Sequence, residues 1–136
     1  MLDLEANVRR LMTPNPWAVR VEDSLTDVWT GMLNGGFHHV PVVSDNRLVG
    51  MLSITDLAQV LRDIPRELHD TGVILDEVST VDKLMTHMVD TVPVSARVRD
   101  VVERFALGRY HAVPVVDGDT LVGIVTTTDL ARALLV

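Results

Sequence analysis

Two short stretches of the sequence combine hydroxyl side chains with a carboxylate directly after a hydrophobic run. They read Ser53-Ile54-Thr55-Asp56 and Thr126-Thr127-Thr128-Asp129. If a helix starts there, the acid can accept backbone N–H bonds and is stabilised by the helix dipole. A carboxylate can equally accept both hydroxyl groups of a vicinal diol, as in a sugar. Each aspartate is therefore either a helix cap or the floor of a ligand site.

The hydroxyl groups near each aspartate leave the same choice open. Ser53 and Thr126 are expected at the end of a strand, where a hydroxyl can bond a sugar or phosphate oxygen. Thr55 and Thr128 are expected at the start of the helix, where free backbone N–H groups favour phosphate. Helix caps are common and ligand sites are rare, so these residues alone favour the interpretation as a cap. In the first stretch, Thr55 or Asp56 would cap the helix that follows.

Both stretches belong to a longer segment that occurs twice. Val40-Pro41-Val42-Val43 leads through a turn to a strand and to Asp56, and Val113-Pro114-Val115-Val116 leads in the same way to Asp129. The offset is 113 − 40 = 73 at the start and 129 − 56 = 73 at the end, so no gap separates the copies. Each copy predicts a hydrophobic hairpin that runs into a helix. Internal repeats of this size imply two copies of one supersecondary unit that bury their faces against each other.

The order of elements predicted for each copy is strand, helix, strand, strand, helix. Residues Leu4 to Met12 have apolar side chains at helical spacing, which predicts a helix before the first copy with Asp3 as its cap. We divide the chain into a first repeat with this N-terminal helix at 1–63, a connecting segment at 64–80 and a second repeat at 81–136. The predicted fold is α/β (α+β), with two β-α-β-β-α repeats packed through their sheets with pseudo-twofold symmetry.

Smaller sequence signals fix the ends of several elements. Short strands are predicted around Val19 and from Thr91 to Val94. Ser24 is expected to cap the helix that follows the first of these strands, because it precedes a run of apolar residues at helical spacing. Gly35 and Gly36 are expected to end that helix in a left-handed conformation.

Composition excludes several classes of function. The chain has 136 residues, no cysteine and a formal net charge of −7. The missing cysteines exclude disulfides and thiolate metal sites, and the acidity argues against nucleic acid, which needs a basic face. No apolar run approaches the length of about 18 residues that a membrane span requires. We therefore expect a soluble, cytoplasmic protein with no membrane or nucleic-acid partner.

The repeated pattern resembles the tandem CBS-domain pair, also called the Bateman module. The resemblance rests on Val-Pro-Val-Val followed by Leu-Val-Gly-x-x-[Ser/Thr]-x-Thr-Asp-Leu, and on Leu-Met-Thr at 11–13 and 84–86. It implies a binding module rather than an enzyme, with an adenosine-containing ligand: AMP, ADP, ATP or S-adenosylmethionine. It also implies a disc-shaped homodimer, and a regulated partner protein whose identity the resemblance does not give.

The resemblance further implies two ligand sites, each shared between the repeats. The first would combine Ser53, Thr55 and Asp56 with Thr91, Val92, His111, Ala112 and Pro114. The second would combine Thr126, Thr128 and Asp129 with Ala18, Val19, His38, His39 and Pro41. The side chains of Met51 and Ile124 would sandwich the adenine ring. Family members that hold phosphate often have Arg where this chain has His39 and Ala112, so we expect the Asp129 site to bind phosphate better than the Asp56 site.

Two other interpretations remain open. The chain could be an assembly module with empty pockets that dimerises through exposed Trp, Met and Val side chains on its helices. The three histidines His38, His39 and His111 could meet and bind a metal, although ligand-pocket or surface histidines explain them more simply. No order of Ser, His and Asp suggests catalysis, and we predict no metal and no catalytic residue.

Overall fold

The computed structural model describes residues 1–69 and 74–136, and both helices and strands are present among them. The strands are β1 (Thr13–Pro14), β2 (Val19–Arg20), β3 (His39–Ser44), β4 (Arg47–Ser53), β5 (Val92–Pro93), β6 (Ala112–Asp117) and β7 (Thr120–Thr126). The helices are α1 (Leu25–Gly35), α2 (Ile54–Arg62), α3 (Ile74–Val78), α4 (Val81–Leu84), α5 (Val98–Ala106) and α6 (Thr127–Leu134), with 3₁₀ turns at Val8–Arg10 and Arg66–Leu68. The predicted α+β class is confirmed.

The connecting segment predicted at 64–80 contains the second 3₁₀ turn and helix α3. Its residues 70–73 lie outside the described residues.

The chain divides into two compact units. The first-hairpin unit consists of Trp17–Asp45 and Val49–Val89, and the second-hairpin unit of Met1–Pro16, Asn46–Leu48 and Asp90–Val136. The first sixteen residues therefore pack with the second copy of the hairpin rather than with the first. The two units are defined by which residues pack together. The boundaries of the sequence repeats, 1–63 and 81–136, remain a prediction.

Each unit has its own strand arrangement. In the first-hairpin unit β2 is parallel to β3, with Val19 opposite Val42, and β3 is hydrogen-bonded to β4. In the second-hairpin unit β5 is parallel to β6, and β6 and β1 are both antiparallel to β7. Parallel strands need a crossover, which α1 provides between β2 and β3 and α5 provides between β5 and β6.

The turns of the two hairpins use different residues. Asp45 and Asn46 have φ values of 51° and 66°, which suits the primed turns of tight hairpins. The second hairpin places Gly118 at φ 62°. Both predicted hairpins are therefore present, and their turns lie where the sequence predicts them.

Each unit has a separate hydrophobic core, built mostly from aliphatic side chains because aromatic residues are scarce. The core of the first-hairpin unit includes Val19, Leu25, Val28, Met32, Val40, Val42, Leu52, Leu57, Ile64, Leu75, Val81 and Met85. The core of the second-hairpin unit includes Val8, Leu11, Val92, Ala96, Val98, Val101, Val113, Val115 and Val125. The apolar positions at helical or alternating spacing thus face these cores.

The predicted N-terminal helix is wrong. Residues Met1–Pro16, which we call the N-terminal arm, contain one 3₁₀ turn and the strand β1. The arm bonds to a distant segment: the carbonyl of Ala6 accepts from the N–H of Val98 (2.9 Å), and the N–H of Val8 donates to the carbonyl of Ala96 (2.9 Å). Asp3 accepts from the N–H of Glu5 in a local turn instead of capping a helix. These partners compete with the helical bonds that the spacing suggested.

Helix α1 begins and ends close to the predicted residues. The Ser24 hydroxyl accepts from the N–H of Asp27 (3.3 Å), which confirms Ser24 as the cap. Gly36 has φ 69° and is the left-handed C-cap, whereas Gly35 is the last helical residue. A Cβ at Gly35 would collide with the ring of Phe37, so a larger residue there would require this ring to move.

Within residues 1–69 and 74–136, no helix combines the length and the apolar character that crossing a membrane would require.

Candidate functional site

The two predicted junctions have the same local structure. Ser53 is the N-cap of α2: its hydroxyl accepts from the N–H of Asp56 (3.1 Å), and the Asp56 carboxylate accepts from the N–H of Ser53 (3.2 Å). Thr126 and Asp129 form the same capping box at the start of α6, with distances of 3.1 and 2.9 Å. The prediction that Thr55 or Asp56 caps α2 is wrong by two or three residues, because the strand continues to Ser53 and the aspartate is the third helical residue.

The capping boxes engage the hydroxyls of Ser53 and Thr126 in hydrogen bonds within the protein. The Thr126 hydroxyl also contacts Oδ2 of Asp129 at 3.1 Å, so it bonds inside its own helix start. Asp56 and Asp129 are both half-buried, and each carboxylate uses Oδ2 for the cap. The cap therefore takes one carboxylate oxygen and leaves Oδ1 for other donors, so the two interpretations of these residues are compatible.

Asp129 has an additional partner that Asp56 does not share. The hydroxyl of Thr13, on strand β1, lies 3.2 Å from Oδ1 of Asp129. In the part of the chain that the structure describes, no donor lies on Oδ1 of Asp56. The sequence signal for Thr13 is the repeated Leu-Met-Thr, which marked the position but not its contact.

The backbone next to each junction is arranged in the same way. The carbonyl of His38 accepts from the N–H of Ile54 (2.9 Å), and the carbonyl of His111 accepts from the N–H of Thr127 (3.0 Å). Each bond ties the residue before a hairpin to the helix that follows the hairpin. Among the described residues, no acceptor lies on the next N–H groups, those of Thr55 and Thr128. Such N–H groups at a helix start can receive an anionic oxygen.

The Leu-Met-Thr motifs pack against the hairpins through glycine. In the second-hairpin unit a Cβ at Gly123 would lie 2.5 Å from Sδ of Met12, so a larger residue would require this methionine to move. In the first-hairpin unit a Cβ at Gly50 would lie 2.5 Å from Sδ of Met85. The glycine of each Leu-Val-Gly motif thus accommodates a methionine that lies next to the threonine of Leu-Met-Thr.

The remaining predicted ligand residues are divided between the two units. Those of the first-hairpin unit are the half-buried Ala18, His39 and Met51, the buried Val19 and Pro41, and the exposed His38 and Thr55. Those of the second-hairpin unit are the half-buried Thr91, the buried Val92, Ala112, Pro114 and Ile124, and the exposed His111 and Thr128. Pairing on β6 and β7 places Pro114 opposite Ile124 and Ala112 opposite Thr126. Each group that the resemblance implies takes residues from both units, and its assembly stays a prediction.

One carboxylate with a clear structural role was missed by the sequence reasoning. Asp76 of helix α3 accepts from the N–H of Leu25 (2.6 Å) and from the hydroxyls of Ser24 and Thr26 (both 2.8 Å). Partial burial acts to raise the pKa of Asp76, but the bonds from Thr26, Ser24 and the backbone outweigh it and lower this pKa. Asp76 thus serves as a second cap for α1, supplied from about fifty residues away.

Within residues 1–69 and 74–136, no group of three or more His, Cys, Asp or Glu side chains is close enough to hold a metal ion. The three-histidine metal hypothesis therefore has no support in the described residues.

A family comparison gives the class of protein that this fold defines. The model of the CBS domain matches residues 8–63 and 78–136. These two segments are most of the chain, and they contain the two hairpins and both capping boxes. The chain belongs to the CBS domain family.

Solved structures with the same fold include CBS domain pairs. A structure described as CBSX2 in complex with AMP is 27% identical, with a TM-score of 0.79, and the match covers 96% of each chain. The CBS domain pair of protein MJ0100, in complex with 5′-methylthioadenosine and S-adenosyl-L-methionine, is 24% identical with a TM-score of 0.77. That match covers 95% of this chain and 99% of the other. The second likeness concerns the fold alone.

Curated relatives are longer than this chain. An uncharacterised 17.7 kDa protein of Acidianus ambivalens is 36% identical over 81 residues, which are 53% of this chain and 49% of that protein. A relative from Methanocaldococcus jannaschii, named a zinc metalloprotease, is 26% identical over 124 residues, which are 91% of this chain and 31% of that protein. The chain thus spans about half or less of the length of these relatives.

Proposed function

We propose that this chain is a regulatory module that binds an adenosine nucleotide and passes the signal to a partner protein by a change of conformation. The candidate ligands are AMP, ADP, ATP and S-adenosylmethionine. CBS domain pairs are in general regulatory rather than catalytic, and some bind adenosine compounds. The observation that carries the proposal is the pair of capping boxes, in which Asp56 and Asp129 hold one carboxylate oxygen in the cap and offer the other to a ligand.

The chemistry of ribose fits this arrangement. The 2′ and 3′ hydroxyls of a ribose are two donors on neighbouring carbons, and a carboxylate offers acceptor sites at matching spacing. The capping box orients each aspartate before the ligand arrives, which lowers the entropic cost of binding. Within residues 1–69 and 74–136 no acceptor lies on the N–H groups of Thr55 and Thr128, so they can receive a ligand oxygen.

The negative charge of the chain favours either a ligand with few phosphate groups or basic side chains close to the phosphate. The chain carries a formal net charge of −7, and such a field opposes a polyphosphate unless nearby bases offset it. We propose that Asp129 acts together with His39, which the resemblance groups with it, and that this site holds phosphate better than the Asp56 site. A His39→Ala change is then expected to weaken ATP binding more than adenosine binding.

Isothermal titration calorimetry with AMP, ATP and S-adenosylmethionine tests the proposed function. We expect saturable heat for at least one of them, reduced in Asp129→Asn or in Asp56→Asn. Asparagine keeps a side-chain oxygen for the cap but removes the charge that attracts the diol. Asp117→Asn is the matched control, because Asp117 is an exposed acid at the end of β6. No heat with any of the three compounds would contradict the proposal.

A specific observation favours a second function, that of an assembly module. Helix α1 and its flanks expose three large apolar side chains: Trp17 (39% exposed), Leu33 (56%) and Phe37 (43%). The rings of Trp17 and Phe37 stack with their centroids 5.3 Å apart. If assembly is the function, we expect a homodimer whose dissociation constant rises in Trp17→Ala, as measured by analytical ultracentrifugation, and no nucleotide binding.

A further inference from the structure

The contact between Thr13 and Asp129 links the N-terminal arm to the candidate ligand site. Thr13 lies on strand β1, opposite Ile124 on β7, and its hydroxyl reaches Oδ1 of Asp129 at 3.2 Å. Both residues belong to the second-hairpin unit. This distance is long for a bond between a hydroxyl and a carboxylate oxygen, which is usually about 2.5–3.0 Å. The contact is therefore weak and can be exchanged for a better donor.

Counting acceptor sites shows why an incoming diol would meet this hydroxyl. A carboxylate oxygen has two lone pairs. On Asp129, Oδ2 is approached by the N–H (2.9 Å) and by the hydroxyl (3.1 Å) of Thr126. Among the described residues, Oδ1 is approached only by the hydroxyl of Thr13, at 3.2 Å. A vicinal diol needs two acceptor sites, so it must displace one of these donors, and Thr13 is the donor that does not belong to the capping box.

We propose that Thr13 is a positioning residue that competes with the ligand diol for Asp129, so that ligand binding at Asp129 releases strand β1. This inference rests on the proposed function, because it needs a diol at Asp129. Pro16, the end of the arm, is followed directly by Trp17 of the first-hairpin unit. Strand β1 thus lies two residues before one of the covalent connections between the units, and occupancy of the site would be transmitted through that connection.

The release would be confined to the last residues of the arm. Val8 and Leu11 are buried in the core of the second-hairpin unit, and the N–H of Val8 donates to Ala96 (2.9 Å). Strand β1 has only two residues, and beyond it the N–H of Asn15 donates to Val122 at 3.2 Å. Short exposed segments with few buried contacts open most easily. The amide of Asn15 is therefore the sensitive reporter, and that of Val8 is an internal reference.

The other repeat supplies a matched control. Thr86 occupies the position of Thr13, since 86 − 13 = 73, and it exchanges two backbone bonds with Met51 (2.7 and 3.0 Å). Among the described residues, no bond joins the Thr86 hydroxyl to Asp56. Thr86→Val should therefore change neither binding nor the exchange of the Asn15 amide.

Amide hydrogen exchange by NMR, together with calorimetry, tests the proposal with AMP as the probe. In the wild-type chain, saturating AMP should speed exchange at Asn15 and leave Val8 unchanged. Thr13→Val should speed exchange at Asn15 without ligand, remove the further response to AMP, and bind AMP roughly three- to tenfold more tightly, as expected for loss of one competing hydrogen bond. Thr13→Ser keeps the hydroxyl and should restore wild-type behaviour.

The outcomes separate the two proposals. Unchanged or weaker AMP binding by Thr13→Val, or a wild-type Asn15 amide that ignores bound AMP, would overturn the competition while leaving the nucleotide-binding proposal intact. A wild-type chain that binds no AMP, ATP or S-adenosylmethionine would instead remove the proposed function and, with it, the competition at Asp129.

Discussion

The two hairpin junctions are built alike and differ at a few atoms. Both have a capping box, a carbonyl bond from the residue before the hairpin, and a glycine that accommodates a methionine. They differ in that Asp129 also contacts Thr13, whereas the described residues place no donor on Oδ1 of Asp56. The shared capping boxes explain how α2 and α6 start. The contact of Thr13 identifies Oδ1 as the atom at which the two aspartates can act differently toward a ligand.

In both junctions one carboxylate oxygen of the aspartate caps the helix, and the other is the one that could bind a ligand. A Ser or Thr with an Asp three residues later can form a capping box that satisfies two free N–H groups at a helix start, and both junctions have one. Capping does not require the second carboxylate oxygen, which is the oxygen on which the two junctions differ. Substitutions at equivalent positions therefore form natural pairs, in which each copy serves as the control for the other.

The largest difference in stability is expected between Leu52→Ala and Val125→Ala. These residues are equivalent, since 125 − 52 = 73, and both are fully buried. Leu52→Ala should lower the free energy of unfolding by about 2–5 kcal/mol, through lost transfer energy and a cavity. Val125→Ala removes fewer atoms and should cost less, nearer to about 2 kcal/mol. Urea denaturation measures both, and equal costs would show that the two cores do not pack as described.

An intermediate effect is expected from adding a methyl group at the paired glycines. In Gly50→Ala the new Cβ would meet Met85 and, at 3.0 Å, the backbone carbonyl of Thr86. In Gly123→Ala it would meet only side-chain atoms of Met12, which can move aside. We expect roughly 1–3 kcal/mol of destabilisation for Gly50→Ala and a smaller loss for Gly123→Ala. Thermal unfolding monitored by circular dichroism measures which variant is less stable. A larger loss for Gly123→Ala than for Gly50→Ala would contradict the described packing of the two methionines.

The smallest effect is expected at Asp76, which caps α1 in the first-hairpin unit. Its pKa is lowered from the ordinary value of 3.8, so the ionised form stabilises the fold. That contribution is present above pH 3.8 and is lost as the pH falls through the lower pKa of the folded state. Asp76→Asn should therefore be less stable than wild type at neutral pH, and the gap should narrow under acid conditions.

Asp27→Asn is the control for this prediction, because Asp27 lies in the first turn of the same helix. Urea denaturation at a series of pH values provides the measurement. A gap between wild type and Asp76→Asn that stays constant down to the lowest pH would contradict the capping role of the carboxylate.

Local sequence patterns predicted the elements whose hydrogen bonds are local. The hairpin turn at Asp45-Asn46 and the cap at Ser24 follow from residue types within a few positions. The repeat added strong support, because each hairpin is predicted twice. The capping boxes could also have been read from the Ser/Thr and Asp spacing, and placing the cap at Thr55 or Asp56 instead overlooked the length of the preceding strand.

The errors and omissions arise where partners are distant in sequence. The arm was predicted as a helix because its apolar spacing fits one, but Ala6 and Val8 find backbone partners about ninety residues away. The cap from Asp76 and the contact of Thr13 with Asp129 are likewise long-range. Such contacts depend on how the chain is folded, and no local pattern encodes them.

The most direct test of the account is a map of amide chemical-shift changes when AMP is added to isotope-labelled protein. The largest changes are expected on residues 53–56 or 126–129, the two capping boxes, and they should disappear in the Asp56→Asn, Asp129→Asn double variant. Changes centred elsewhere, or changes that persist in the double variant, would contradict the claim that these aspartates are the ligand-binding groups.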